Sequence, residues 1–368
     1  MSRHGSMHCG LSVVLVGAMA LAGTVRAQSS VTIYGLVDVS VKYVNNFGGG
    51  SRIDQDSGDQ QGPRLGFQGL EDLGGGLQAI FVAESGINVD TGGFAQGGAP
   101  FARQTYLGFN SPLGTFTAGR QYDFMADLGA FHGVWQGTGT LDWNVGDNDR
   151  VSGQRLDNSL KYVFKNGTLT AGALYSLSET SGTTRTPRAS SFLGGYSVGG
   201  WSMAAAATLM HDAPVTPFSS LGVPEFLGMP TLSPQGAANS FVANRMGNFG
   251  VGAGYTAGPW AVLGLMTATR YDLGLSRELI QNRNLVARYT SSSGLVYAAS
   301  VADSSMGPAS WKRVALAADY FLSKRTDVYL YAVKERASGS GVSAVLFTTA
   351  PASGNEQHAL VAGIRHKF

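Results

Sequence analysis

The chain contains little charge, almost no cysteine and no long apolar run beyond its first residues. Only 14% of its 368 residues are charged, whereas a soluble globular protein carries about 25%. After residue 27 no stretch reaches the 18 or so consecutive apolar residues of a transmembrane helix, which excludes such a helix there. Glycine, in contrast, is abundant, with 52 residues. These features leave either a soluble β-protein or a membrane protein built from strands.

The N-terminal 27 residues have the organisation of a secretory signal peptide. A basic start precedes an apolar run over residues 11–23, and Val25 and Ala27 occupy the small-residue positions before an expected cut. We therefore expect residues 1–27 to be removed and residues 28–368 to form one mature domain.

Removal of this segment would change the chemistry available to the chain. Cys9 is the single cysteine, so the mature chain would have neither disulfides nor thiolate metal sites. Without Arg3 and Arg26, the 26 basic residues would fall to 24, the number of acidic ones. A chain without net charge has no basic field for nucleic acid. We expect no nucleic-acid partner, no metal and no cofactor.

Apolar residues recur at every second position through much of residues 28–368. In VTIYGLVDVSVKY, Val37, Val39 and Val41 occupy one face, whereas Asp38 and Lys42 occupy the other. A period of two indicates a β-strand. Repeated segments of this kind, joined by turns such as KNG and AGP, predict sixteen strands.

The connections between the predicted strands alternate between short and long. The long polar ones cover residues 45–62, 86–101, 123–154, 178–190, 211–243 and 336–355, and two shorter ones fall at 271–281 and 304–310. Short periplasmic turns that alternate with longer outer loops are typical of outer-membrane barrels. The pattern therefore predicts an all-β protein, a transmembrane antiparallel β-barrel in the lipid bilayer of the cell outer membrane.

The last predicted strand, which ends in GIRHKF, is apolar on one side and basic on the other. The apolar parity contains Leu360, Ala362, Ile364 and Phe368, and the other contains Arg365 and Lys367. In lipid every backbone polar group must be paired, so the last strand must close the barrel against the first. We expect the apolar side to face lipid, with Phe368 as the barrel-closing terminal residue at the membrane boundary.

Several stretches of the sequence together resemble the Gram-negative general (non-specific) porins, in particular their betaproteobacterial branch. They are SSVTIYGLVDVSVKYVNN, RLGFQGLEDLGGGLQAIFVAE, RQTYLGFNSPLGTFTAGRQYD, DNSLKYVF and the final GIRHKF. The resemblance covers nearly all of the mature chain. It implies a sixteen-stranded barrel, a homotrimer, and a third outer loop that folds into the lumen as a constriction. It also implies passive diffusion of ions and small hydrophilic solutes.

The loop over residues 123–154 follows the fifth predicted strand, where the resemblance implies the constriction loop. Its acidic residues are Asp123, Asp127, Asp142, Asp147 and Asp149, and its aromatic residues Phe131, Trp135 and Trp143 are able to pin it to the wall. The alternative is a mobile outer loop with solvated acids. Asp123 and Asp127 are the favoured pore-lining acids because they lie nearest the strand that precedes the loop.

Three arginines have lumen parity at points where strands leave outer loops. They are Arg64, Arg103 and Arg155, and they match positions of the basic cluster at the constriction of general porins. The alternative is that each is an ordinary lumen charge away from the neck. Clustered like charges that face an acidic loop would create a transverse field, which orients dipolar solutes.

Further charges fall on both sides of the predicted wall. Asp38, Lys42 and Lys161 have lumen parity and are expected to line the wall. Arg120 has outward parity, where a lone arginine at mid-bilayer would cost about 2–4 kcal/mol. Either the strand bends there or Arg120 pairs across a subunit contact, and we favour the subunit contact.

The sequence is also compatible with three functions other than that of a general porin. An outer-membrane enzyme is disfavoured because the histidines after residue 27 lack a compact Ser/His/Asp or metal-ligand spacing. A structural or adhesive barrel could use the proline-containing loop at 211–243 to bind a partner. A substrate-specific porin would need an aromatic ladder along the lumen, where the pattern offers only Tyr34. The motif GVGAG at 250–254 is interpreted as a chance result of the glycine content. A general porin is therefore favoured.

Overall fold

The computed structural model describes residues 30–178 and 188–368, so the predicted signal peptide lies outside the described residues. Most of the described chain is extended, in the strands β1 (Ser30–Phe47), β2 (Gly50–Ser57), β3 (Arg64–Gly74), β4 (Leu77–Gly86), β5 (Gln104–Ser111), β6 (Gly114–Tyr122), β7 (Arg155–Lys165), β8 (Leu169–Ser176), β9 (Ala189–Val198), β10 (Trp201–Val215), β11 (Glu225–Phe226), β12 (Met229–Pro230), β13 (Phe241–Ala257), β14 (Trp260–Asp272), β15 (Arg277–Thr290), β16 (Leu295–Met306), β17 (Ala309–Phe321), β18 (Thr326–Ser338) and β19 (Glu356–Lys367). The helical segments are α1 (Pro217–Leu221) and the short turns Gln96–Gly98, Phe124–Phe131, Val134–Thr138, Thr140–Asp142 and Val145–Asp147. In the part of the chain that the structure describes, no helix has the length and apolar character needed to cross a membrane.

Apart from the small hairpin β11–β12, all strands belong to one antiparallel sheet that closes on itself. β1 pairs with β19 from Leu36–Lys367 to Val44–Ala359, and this pairing closes the barrel. β2 and β3 are two parts of one strand, because β2 pairs with the second half of β1 and β3 with its first half. Sixteen strands therefore cross the barrel wall, which confirms the predicted number and fold class.

The strands extend further into the outer loops than the sequence predicts. Residues 45–62 were expected to form a loop, but β1 runs to Phe47 and β2 begins at Gly50. Gly48 and Gly49 form the tight turn between β1 and β2. Their φ values of 65° and 109° are ones that glycine adopts without strain. β10 and β13 likewise pair as far as Val215–Phe241. The predicted loop boundaries are wrong at these points because the hydrogen-bond ladder continues beyond the apolar part of the strands.

Inward and outward residues alternate along the strands. In β14, for example, Leu263 and Leu265 are buried on the inner side, whereas Val262 and Met266 are exposed on the outer side. Alternation of this kind is what a barrel wall between lipid and an interior requires. On this wall many of the exposed large apolar side chains face outward.

Aromatic residues gather on the outer face beside the short turns. Trp201 lies against Tyr255 and Trp260 against Tyr289, in tilted ring pairs with centroids 4.7 Å apart. Both tryptophans begin strands that leave the short turns at 199–200 and 258–259. Such an aromatic girdle marks a boundary between lipid and water. The short length of the turns beside it is typical of the periplasmic end.

The opposite end of the barrel is partly filled by its own loops. Leu221 and Phe226 from residues 216–240 and Val345 from residues 339–355 pack with Tyr271 and Trp311 of the inner wall in one buried apolar cluster. This packing fills the outer part of the lumen beside β10–β18.

The last residue packs on a glycine of the first strand. Phe368 and Gly35 exchange both backbone hydrogen bonds, at 3.1 and 3.2 Å. A Cβ on Gly35 would stand 2.6 Å from Cζ of Phe368 and would also overlap the backbone oxygen of Arg64. Glycine is needed at position 35 for the ring to lie against the backbone.

We expect Gly35→Ala to destabilise the barrel by about 1–3 kcal/mol, the usual cost of overpacking. The matched control is Gly194→Ala on the outward side of β9, because nothing lies within 4 Å of its ideal Cβ. The measurement is urea unfolding of both variants folded in lipid vesicles. Equal unfolding midpoints for the two variants would contradict the closure role of Gly35.

Candidate functional site

The third outer loop, residues 123–154, enters the barrel interior. The Asp123 N–H donates to the Gln154 carbonyl (3.2 Å), which brings the two ends of the loop together. The Asp123 carboxylate accepts from the Met125 N–H (3.1 Å) and from Arg150 Nε (2.5 Å). These contacts cap the first helical turn and direct the following residues into the lumen.

Large apolar side chains of the loop pack against glycines of the inner wall. The pairs are Phe124 with Gly172, Leu128 with Gly250, and Phe131 with Gly252. A Cβ on any of these glycines would overlap the loop side chain, so glycine creates the space for the loop. Two of them belong to the GVGAG motif, which sequence analysis interpreted as chance. Its inward positions have a packing role instead.

A buried ion network joins the loop to the opposite wall. Arg313 of β17 donates from Nε to Asp142 Oδ1 (2.9 Å) and from Nη1 to Glu335 Oε2 of β18 (3.1 Å). The other Asp142 oxygen accepts from Thr138 Oγ1 (2.6 Å) and Ser300 Oγ (2.5 Å). Asp142, Arg313 and Glu335 have side-chain exposures of 1, 1 and 0%. Burial makes each charge depend on its partners.

Asp149 makes a second polar contact with the wall. Its Oδ2 accepts from Thr267 Oγ1 of β14 (2.6 Å), from Asn282 Nδ2 of β15 (3.3 Å) and from Asn144 Nδ2 within the loop (2.6 Å). Asp149 is therefore a structural acceptor, held away from the opening.

The five predicted loop acids thus divide into buried and exposed groups. Asp123, Asp142, Asp147 and Asp149 are buried and hydrogen-bonded. Asp147 accepts from Ser152 Oγ (2.6 Å), and burial, with the charge of Asp149, raises its pKa to about 6. Asp127 alone is exposed, and it lines the opening. Surrounding protein raises the pKa of Asp127 by desolvation, against the opposing effect of Lys161.

The three predicted arginines converge around Tyr122, a residue that sequence analysis did not single out. Arg103 Nη2 and Arg155 Nη2 both donate to the Tyr122 hydroxyl, at 2.8 and 2.6 Å. Arg155 also lies over the Tyr122 ring, 4.5 Å from its centroid. Arg64 Nε donates to the Gly62 carbonyl (3.1 Å), and Gly62 in turn lies against the Arg103 guanidinium.

The predicted lumen residues occupy different environments. Lys161 donates to the Tyr122 carbonyl (2.9 Å) and lies over the Phe124 ring (4.3 Å), beside the arginines. Lys42 is buried and pairs with Asp56 and Asp59. Its ammonium group is therefore neutralised by these carboxylates on the inner face of the wall and is not free in the opening.

Asp38 supports the interruption between β2 and β3. Its Oδ2 accepts from the backbone N–H groups of Gln60 (3.1 Å) and Gln61 (2.6 Å). The interruption meets the constriction loop, because Thr140 N–H donates to the Asp59 carbonyl (2.7 Å). Residues 58–63 therefore form the side of the opening that faces the loop.

The constriction loop, the interruption and the arginine cluster enclose one opening of about 880 Å³. Trp135, Arg288, Arg365 and Lys367 also line it. The alternation of RNLVARYT and WKRVALAADYF places Arg288 and Arg313 on the inner parity, so the sequence signal for both was present.

The comparisons with known proteins agree with this architecture. The sequence profile of the Gram-negative porin family matches residues 12–340. The chain belongs to the Gram-negative porin family. Outer membrane porin protein 32 of Delftia acidovorans is 27% identical over 97% of this chain and 99% of its own length. An outer membrane porin protein of Bordetella pertussis is 34% identical over 38% of this chain and 40% of its own.

Among solved structures, the anion-selective porin from Comamonas acidovorans has the same fold. It is 23% identical and superposes with a TM-score of 0.73 over 93% of this chain and 100% of its own length. The protein is thus an outer-membrane porin of the betaproteobacterial type, as the resemblance implied. It forms a water-filled channel for passive diffusion of ions and small hydrophilic solutes and is not an enzyme.

Arg120 has a hydrogen-bond partner and an ion-pair partner in the barrel wall of its own chain. Arg120 Nε donates to the Ala102 carbonyl (2.7 Å), and its Nη1 pairs with Asp157 on the outer face. Strict alternation from Arg155, which has lumen parity in the sequence, would place Asp157 on the lumen side, but Asp157 lies on the outer face. The register shifts between β6 and β7, and Asn158 has φ of 52°, so this bulge turns Asp157 outward.

The loop aromatics also differ in position. Phe131 and Trp143 are buried, whereas Trp135 is half exposed in the opening. His132 lies against Trp143, with centroids 4.7 Å apart, and burial lowers its pKa. Within residues 30–178 and 188–368, no group of three or more His, Cys, Asp or Glu side chains could hold a metal ion.

We expect Arg313→Met to loosen the constriction loop, since it would leave the buried Asp142 and Glu335 without a cation, at a cost of about 3–5 kcal/mol. Limited proteolysis of the folded porin should then cut within residues 123–154. The control is Arg277→Met, which removes a side chain that is 69% exposed and pairs with Asp272 at the surface. If Arg313→Met is as resistant to protease as the control, the network does not hold the loop.

Proposed function

We propose that this porin prefers anions, and that Arg64, Arg103 and Arg155 form the basic side of its constriction. The proposal rests on one observation. Among the described residues that line the opening, basic side chains without an ion-pair partner outnumber acidic side chains without one. The lining cations without a carboxylate in ion-pair range are Arg64, Arg155, Lys161, Arg288 and Lys367. Asp127 is the single lining acid of the described residues without a cation in that range.

The other charges of the opening are balanced by neighbours. Arg103 pairs with Glu84 (2.8 Å), and Arg365 pairs with Asp319 (3.5 Å) and Asp327 (3.1 Å). An excess of unpaired cations gives a positive potential, which low-dielectric walls concentrate in the narrow passage. Rings of basic side chains favour anions by this effect. The fold shared with the anion-selective porin from Comamonas acidovorans is consistent with the proposal.

The remaining loop acids have a different proposed role. Asp123, Asp142, Asp147 and Asp149 hold the loop in the constriction, and Asp127 lines the water path near Lys161. Because the pKa of Asp127 is raised, this carboxylate takes up a proton earlier than an ordinary aspartate as pH falls. Acidification should therefore strengthen the anion preference.

We also propose that the porin assembles as a homotrimer, in which the outward pair of Arg120 and Asp157 lies at a subunit contact. The side chain of Asp157 is 61% exposed, so it is open to a neighbouring subunit. A structural neighbour with the same fold is described as a trimer form. Single-channel records that close in three equal steps would support this assembly, and single independent steps would oppose it.

We expect Arg155→Gln to reduce the anion-to-cation permeability ratio roughly sevenfold, because the lost charge attracts anions and repels cations by the same energy. A unit charge about 10 Å from the ion path is worth about 0.6 kcal/mol after protein and salt screening. The measurement is the reversal potential in a planar bilayer with a KCl gradient. Arg277→Gln, which removes an exposed outer charge, is the control and should match the wild type. A cation-preferring reversal potential in the wild type would refute the proposed selectivity.

A further inference from the structure

Trp135 is an exposed aromatic side chain that lines the opening. It belongs to the turn Val134–Thr138 and is 51% exposed, while Phe131 and Trp143 of the same loop are each 5% exposed. The Nε1 edge of the indole lies against Gly129 of the same loop. A large aromatic ring that the loop leaves half in water has a surface available to a solute.

The indole is continuous with the arginine cluster. One edge of Trp135 lies against Gly129, and Gly129 in turn lies against the Val151 carbonyl. Two residues further on, Gly153 lies against the ring of Tyr122, which holds Arg155 over its face. Trp135 and Arg155 also line the same opening, so an aromatic ring and a guanidinium group are both presented to one water path.

The rest of the opening shares this mixed character. Ile87, Phe321 and Phe347 line the same cavity and are half buried. An opening suited only to hydrated inorganic ions has no need of these side chains. Their presence beside unpaired guanidinium groups matches a solute with an anionic end and an apolar body.

We propose that the constriction contains a weak binding site for organic anions that carry an apolar or aromatic group. This inference rests on the proposed anion preference. The carboxylate of the solute binds Arg155 and Arg64, and its ring packs on the Trp135 indole. Aromatic pairs of this kind contribute about 0.5–1.5 kcal/mol beyond their buried area. A site of that strength retains such solutes without preventing their release, as conduction requires.

The test is block of the KCl current through the full porin by benzoate and by acetate. The two anions carry the same charge, but only benzoate has an aromatic body. We expect benzoate to reduce the single-channel current at concentrations where acetate has no effect. Trp135→Ala should raise the half-blocking concentration of benzoate roughly two- to tenfold, the factor that corresponds to the aromatic contact.

The matched control is Trp201→Ala, since Trp201 is 53% exposed on the outer face, away from the water path. It should leave the half-blocking concentration at the wild-type value. Trp135→Phe keeps an aromatic face and should retain most of the benzoate block, which separates contact with the solute from disruption of the loop.

The outcomes separate the two proposals. An anion-preferring reversal potential with equal block by benzoate and acetate overturns the organic-anion site alone. Benzoate block that is unchanged in Trp135→Ala also overturns it. A cation-preferring reversal potential overturns the proposed selectivity and, with it, this inference.

Discussion

The requirement that every backbone N–H and C=O in lipid be paired within the protein governs this structure. It is met when β1 pairs with β19, because closure leaves no strand edge exposed. Closure also separates side chains strictly into two sets, since neighbours along a strand face opposite sides of the wall. The polar residues of a weakly charged chain are thereby collected inside, where they can shape a water path.

The constriction depends on a different type of contact, between loop charges and charges of the inner wall. Arg313 is almost fully buried between Asp142 and Glu335. Removing these ions from water is costly, and their mutual contacts must offset that cost. Once the partners are fixed, however, each charge specifies one position of the loop. Apolar side chains of the loop also pack into the spaces beside glycines of the wall, but such packing has little directional preference. The ion network therefore defines where the loop lies in the lumen.

Local periodicity carried most of the information that could be predicted from sequence. It identified sixteen strands, the inner parity of Arg64, and the outer parity of Leu360 and Ile364. It failed where a single residue changes the local geometry, as at Asn158, whose positive φ turns Asp157 outward. Periodicity also gives no information about which residues meet across the lumen. The convergence on Tyr122 and the pairing of Asp142 with Arg313 are set by the position of the loop, which depends on contacts far apart in sequence.

The same loop contacts explain how a chain with little net charge can have a positive opening. An acidic loop facing a basic wall would by itself suggest a balanced or cation-preferring passage. Here four of the five loop aspartates are buried acceptors, and Asp123 and Asp142 are neutralised by Arg150 and Arg313. Their charge is used to hold the loop and does not reach the water path. Among the described residues, the unpaired charges that line the water path are Asp127 and a larger set of cations, several of them around Tyr122. The electrostatics of the channel therefore follow from which charges the fold leaves unpaired, and the composition of the chain does not determine them.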